Sequence, residues 1–272
     1  MAENEVVHVA VAPPPMLEEE LVNKVAAIVS KNLYETRLRL KGKIPKIIAN
    51  YADTEMAESA ARSLRELGLV VVMCADSELC KPSQIYRAHA LKFDEQAVMF
   101  WDRSGQARRM GSSDTFLILS GRMQTYTETE VTTTVKKLNV TATLMLGGLP
   151  ISKKVKEKTT NRSSRTESFV RLYGRTSPEL VVELLQHDFD YSFLGAEMGS
   201  SSAANFSTTV KKIRDALPGA IFDDRLVEPF GADMRSVIPQ DDIDMNCKLI
   251  YWYHQAKSNL GTSTQLQIYS PE

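Results

Sequence analysis

Residues 43–73, KIPKIIANYADTEMAESAARSLRELGLVVVM, decide the fold. Ile44 to Tyr51 reads as a strand that opens beside Pro45, which an edge position tolerates. A helix follows at about Asp53 to Leu67. Ala57, Ala60, Ala61, Leu64 and Leu67 form its buried stripe, and Gly68 suits the C′ position. LVVVMC then makes a buried strand. Upstream, Val6 to Val11 is a strand that PPP (Pro13 to Pro15) ends. A helix comes next, with Glu18, Glu19 and Glu20 in its first turn and Leu21, Val25, Ile28 and Val29 as its stripe. Leu33 to Lys41 is a second short helix closed by Gly42. Residues 1–80 thus read as one β-α-α-β-α-β module.

This element order resembles the C-terminal domain of the bacterial ribosomal stalk protein. It also resembles the adaptor that feeds substrates to the Clp protease. The likeness covers about a quarter of the chain and is carried by the proline before a strand, the alanine-rich helix and the LGL that leads into the next strand. Both relatives are non-catalytic and hold other proteins, so the resemblance implies a binding role by analogy of fold.

Beyond the connector Gln84 to Arg87 the pattern turns to β. Ala88 to Phe93 and Ala97 to Trp101 read as a hairpin around DEQ, and TFLILS (Thr115 to Ser120) as a fuller strand. Glu128 to Val135 and Asn139 to Leu146 are threonine- and valine-rich, GGLP (Gly147 to Pro150) is a turn, and Glu167 to Tyr173 and Leu180 to Gln186 form a further pair. A helix closes the run. AVMFWDRSGQ, ESFVRLYGRTSPELVVELL and that helix resemble a pleckstrin-homology-like domain over residues 87–226. The Thr- and Lys-rich middle, residues 126–166, is longer than such a barrel needs. Residues 227–272 are a C-terminal extension. Asp241 to Gln255 suits a helix carrying Ile243, Cys247, Ile250 and Tyr251, and Leu260 to Glu272 reads as a frayed end. The expected fold class is α+β: the module, then an antiparallel β domain closed by a helix.

The 272 residues, 43% hydrophobic and 25% charged, suit a globular chain with a sizeable core. A net charge of −1 gives no global attraction to nucleic acid or anionic membrane, so such binding needs a local patch. The longest apolar run, LVVVMCA, is too short to span a bilayer, and MAENEVV carries no signal-peptide pattern. Cys74, Cys80 and Cys247 are too few and too odd in number for a disulfide scaffold. A cytoplasmic location is expected, with no metal and no cofactor.

In YSFLGAEMGSSSAANF (191–206), Gly195 and Gly199 are separated by three residues and no lysine follows, so the P-loop pattern fails. GxSxG is absent too. Phe206, Val210, Ile213 and Leu217 mark one helix face, which makes Ser201 or Ser202 the N-cap. Ser200, Ser201 and Ser202 are therefore anion candidates only as a free helix N-terminus. The stronger patch is the loop SKKVKEKTTNRSSR (152–165), where Lys153, Lys154, Lys156, Lys158, Arg162 and Arg165 face only Glu157 in opposition. Those cations suit phosphates of nucleic acid or lipid, without aromatics for base stacking. Asp188 with Asp190, Asp223 with Asp224, and Asp241, Asp242 and Asp244 are carboxylate pairs beside turns, where Asp satisfies backbone donors. IYWYH (250–254) suits packing of the terminal helix. With no catalytic constellation legible, the expectation is a non-catalytic interaction or regulatory protein with a protein partner. The alternatives are a binder of nucleic acid or anionic lipid through residues 152–165, and an enzyme using carboxylates near Asp188 and Asp223. Self-association is left open.

Overall fold

The computed structural model describes residues 5–138, 152–176, 178–227 and 238–267. By internal contacts the chain forms two units: Met1–Met123 with Glu167–Glu272, and Gln124–Thr166. The class is α+β.

The first elements are β1 (Val7–Val11), α1 (Glu19–Val29), α2 (Leu33–Leu40), β2 (Lys46–Tyr51), α3 (Thr54–Glu66) and β3 (Val71–Ala75), in the order expected. Their sheet runs β2-β1-β3, antiparallel throughout. Strand periodicity splits its faces. Val7, Val9, Val11 and Val71 meet Val22 and Val25 of α1 and Ala57, Ala61 and Leu64 of α3. Ala10, Val72 and Cys74 face the other way. The caps follow from short polar side chains: Asn32 accepts from the Glu35 N–H at 2.8 Å, and Asp53 accepts from the Glu55 N–H at 2.8 Å. Gly68 has φ +80°, a conformation that favours glycine at a helix end. A five-residue helix, α4 (Asp76–Cys80), follows β3. It is too short to show a period in the sequence.

The β part differs in detail from the sequence reading. Gln84–Ala88 is a strand, β4, rather than a connector. The hairpin at DEQ is present as β5 (Ala90–Asp94) and β6 (Ala97–Trp101), and β7 (Ala107–Gly111) extends it to an antiparallel three-stranded sheet. β8 (Thr115–Leu138) and β9 (Ser152–Gly174) are single strands of 24 and 23 residues, where shorter pieces and a basic loop were expected. The expected strand Asn139–Leu146 and turn 147–150 lie outside the described residues. β10 (Leu180–Leu185), a 3-10 turn (Ser192–Glu197), α5 (Ser202–Ala216) and β11 (Ile221–Leu226) follow, then β12 (Ile238–Pro239) and α6 (Gln240–Gln267). The helix thus continues through residues read as a frayed end.

The six-stranded sheet has the order β11-β8-β9-β10-β4, with β12 beside β8. β10 is antiparallel to β9, but β4 is parallel to β10 and β11 parallel to β8, so this sheet is mixed. Alternation again assigns its faces. Ile118, Val170, Leu172, Val182 and Leu184 pack against Phe206 and Ile213 of α5, the closing helix, against Leu217 at its C-cap, and against the β5–β7 sheet. Leu117, Leu119, Phe169, Tyr173, Val181 and Leu185 pack against Ile243, Cys247, Ile250 and Tyr251 of α6. Gly121 allows the close approach of Phe169, because a Cβ there would lie 2.5 Å from the ring.

Helix α6 carries a second apolar stripe. Leu249, flanked by Met245, Trp252 and Tyr253, meets Ala10, Val72 and Cys74 on the open face of the first sheet and Leu79 of α4. One helix therefore covers both sheets, as a helix apolar on two faces must.

Candidate functional site

Phe169, Arg171 and Tyr173 of β9 and Val181, Glu183 and Leu185 of β10 share the sheet face that α6 covers, and Arg171 and Glu183 are the charged ones among these six. Glu183 on β10 is opposite Arg171 on β9 and Arg87 on β4 in the strand register. The pairing is direct. Arg171 Nε donates to Glu183 Oε1 at 2.9 Å, and Arg87 Nη2 donates to Glu183 Oε2 at 2.8 Å. Arg171 Nη1 also donates to Asp244 Oδ1 on α6 at 2.7 Å. The other Asp244 oxygen accepts from the Ser83 N–H at 3.1 Å and lies 3.8 Å from Lys248 Nζ. Arg171 and Glu183 are 4% and 1% exposed, so this is a buried ion pair. Buried charges are tolerated when each is paired and hydrogen-bonded, and both are.

Lys248 is also buried. Its ammonium donates to the carbonyls of Glu78 (3.0 Å), Leu79 (3.3 Å) and Lys81 at the end of α4. A cation there satisfies orphan carbonyls and favours the negative end of the helix. Above this network lies a cleft of about 200 Å3. Ser83, Arg87, Arg171, Glu183 and Asp244 give it polar walls, and Ile85, Met123 and Ile243 give it apolar ones.

A second ionic cluster joins β11 to α6. Asp223 Oδ2 accepts from His254 Nε2 at 2.7 Å, and both Asp223 oxygens accept from Arg225 Nε, at 3.1 and 2.9 Å. Arg225 also donates to the Lys43 carbonyl at 3.2 Å and lies over the Tyr253 ring at 4.5 Å. Burial alone would raise the Asp223 carboxyl, but the hydrogen bonds from His254 and Arg225 outweigh it and hold the group well below the usual range. The surroundings of the imidazole are thus a carboxylate, a guanidinium and a phenol ring, which makes the cluster a clasp between elements.

The other sequence candidates disperse. Asp188 pairs with Arg103 at the surface, and its carbonyl lies 2.6 Å from His89 Nδ1. Asp190 accepts from Ser192 in a local turn. Asp241 and Asp242 have no described side chains. Ser201 is the N-cap of α5, accepting from the Ala204 N–H at 3.2 Å. Ser202 accepts from Gln186 Nε2 at 3.1 Å, and Ser200 is exposed. Burial pushes the Cys74 thiol up to about 12 and the Cys247 thiol up to about 11, so neither forms a thiolate at neutral pH. Among the described residues no group of three or more His, Cys, Asp or Glu could hold a metal ion, and no helix is long and apolar enough to cross a membrane.

Lys153, Lys154, Lys156, Lys158, Arg162 and Arg165 all belong to β9, so the basic stretch is strand rather than loop. Val155, Thr159, Thr160 and Thr166 interleave these cations, and such residues suit a strand that has a partner. β8, likewise rich in threonine, is that partner. Within Gln124–Thr166 there are eight lysines and arginines against three glutamates, in a chain whose net charge is −1.

The groups around the cleft went unnoticed in the sequence, apart from Asp244. A signal was present: Arg171 and Glu183 are lone charges inside the apolar runs FVRLY and LVVELL. No protein-family model, curated protein or solved structure matches the chain.

Proposed function

We propose that the chain is a non-catalytic binding protein, with the ribbon formed by β8 and β9 as its binding element and double-stranded nucleic acid as its partner. The observation that carries this reading is charge segregation: net +5 within Gln124–Thr166 against −1 for the whole chain. The remainder is therefore acidic, so attraction to phosphates concentrates on the ribbon. Each strand's share of the unit extends up to about 50 Å, at roughly 3.3 Å per residue. A two-stranded ribbon fits the major groove of a duplex, and a row of cations on it can follow the phosphates. Tyr126 is the lone aromatic residue of the unit, which disfavours stacking on single strands.

The element order of the first module supports a holding role by analogy alone. A second reading, a protein partner, draws on Leu33, Tyr34 and Leu38 of α2, which are exposed apolar side chains. Electrophoretic mobility shift on duplex DNA separates the two. The Lys153→Glu/Lys154→Glu/Lys156→Glu variant is expected to lose the shift. Retention of the shift by that variant, or its absence in the unaltered chain, refutes the ribbon as a nucleic-acid interface. Anionic vesicles run beside the DNA would reveal a lipid surface as the partner instead.

A further inference from the structure

We propose that the cleft above the Arg87–Glu183–Arg171 row binds a small organic monocarboxylate with a short aliphatic body. Arg87, Arg171 and Lys248 converge on two carboxylates, Glu183 and Asp244. Among the described side chains the cleft lining is balanced, Arg87 and Arg171 against Glu183 and Asp244, and Lys248 behind the lining adds one positive charge to the network, which a single carboxylate neutralises and a cation would aggravate.

Arg87 and Ser83 also hold unused hydrogen-bonding capacity. A guanidinium has five N–H donors in a planar fork. The Arg87 bond to Glu183 uses one of them, and its side chain is 51% exposed beside the cleft. A carboxylate is the planar acceptor that matches the rest of the fork. Ser83 Oγ is buried with no hydrogen-bond partner, although the Ser83 backbone N–H is held by Asp244. A buried hydroxyl without a partner is costly, and a ligand oxygen would supply one.

Ile85, Met123 and Ile243 give the cleft apolar lining beside its charges. Inorganic phosphate would leave that lining unused and would bring a second negative charge with no counterpart. The cleft, about 200 Å3, is well below the roughly 300–1,000 Å3 of sites for larger ligands. An acid with a few aliphatic carbons fills it, and a peptide ending in a carboxylate does not fit within it.

The test is a heteronuclear NMR titration of the full chain with sodium isovalerate, against sodium chloride at equal ionic strength. Saturable shifts are expected at the amides of Ser83, Ile85 and Arg87. Arg87→Ala should weaken binding about tenfold, the value of one charge-assisted hydrogen bond. Ser83→Ala, which removes an unpartnered hydroxyl and so spares the fold, should weaken it too. Isoamyl alcohol, the neutral analogue, should not compete. The proposal is overturned if isovalerate gives no saturable shift, or if both variants bind as the unaltered chain does. Equal affinity for phosphate, or for the peptide acetyl-Gly-Leu, would also overturn it.

Discussion

At the scale of single residues, the chain hides its most consequential polar groups inside apolar strands. Arg171 and Glu183 occupy inward positions where alternation calls for aliphatic side chains. Two opposite charges in register across neighbouring strands resolve the conflict, because each is the other's partner. Arg171→Met should destabilise the fold by about 3 kcal/mol, the lower end for breaking a buried pair, since Arg87 still reaches Glu183. Urea unfolding measures this, and adding Glu183→Leu should restore part of the loss. Full stability in Arg171→Met would show that the pair holds nothing. Asp223 gives a pH test. Its folded carboxyl is held below the ordinary value of 3.8. The unfolded chain therefore binds the proton first as pH falls, and the contribution of Asp223, complete above about pH 5 given an unfolded value near 3.9, is lost on acidification. The urea midpoint of Asp223→Asn should fall less between pH 5 and pH 2.5 than that of the unaltered chain. Parallel curves would remove Asp223 as a source of the acid sensitivity.

At the scale of elements, what was legible depended on how locally each is encoded. Helix α3 announces itself through a four-residue alanine and leucine stripe, an Asp53 cap and Gly68. Helix α5 does the same through Ser201 and the Phe206–Ile213 stripe. Ser201→Ala should cost about 1 kcal/mol, the usual value of a lost N-cap. An unchanged thermal midpoint would assign that role to another group. Strands β4 and β11 were missed for a common reason. Each is short, lies at an end of the mixed sheet and is paired in parallel with a strand distant in sequence, so no turn marks it. Only the first part of β9, residues 152–165, was read as a loop, because lysine and serine dilute its strand pattern, whereas Glu167 to Tyr173 read as a strand; pairing with β8 decides the outcome. The six cations of residues 152–165 were legible as a patch, but their geometry was not.

At the scale of the whole molecule, the sequence displayed α+β order and a separate basic stretch, but not the double use of α6. Its stripe Ile243, Cys247 and Ile250 was legible, whereas the second stripe around Leu249 has meaning only once the open face of the first sheet is known. The cleft is invisible from sequence for the same reason: its walls come from β4, β8, β9, β10 and α6. The charge of the ribbon carries the central claim, and its salt dependence is the most direct test. The measurement is the slope of log K against log salt for duplex DNA, in the unaltered chain and in Lys153→Glu/Lys154→Glu/Lys156→Glu. Each phosphate contact contributes about −0.9 to that slope, so loss of three contacts should shrink its magnitude by roughly 2 to 3. Equal slopes in the two proteins would contradict the assignment of the ribbon as the binding element.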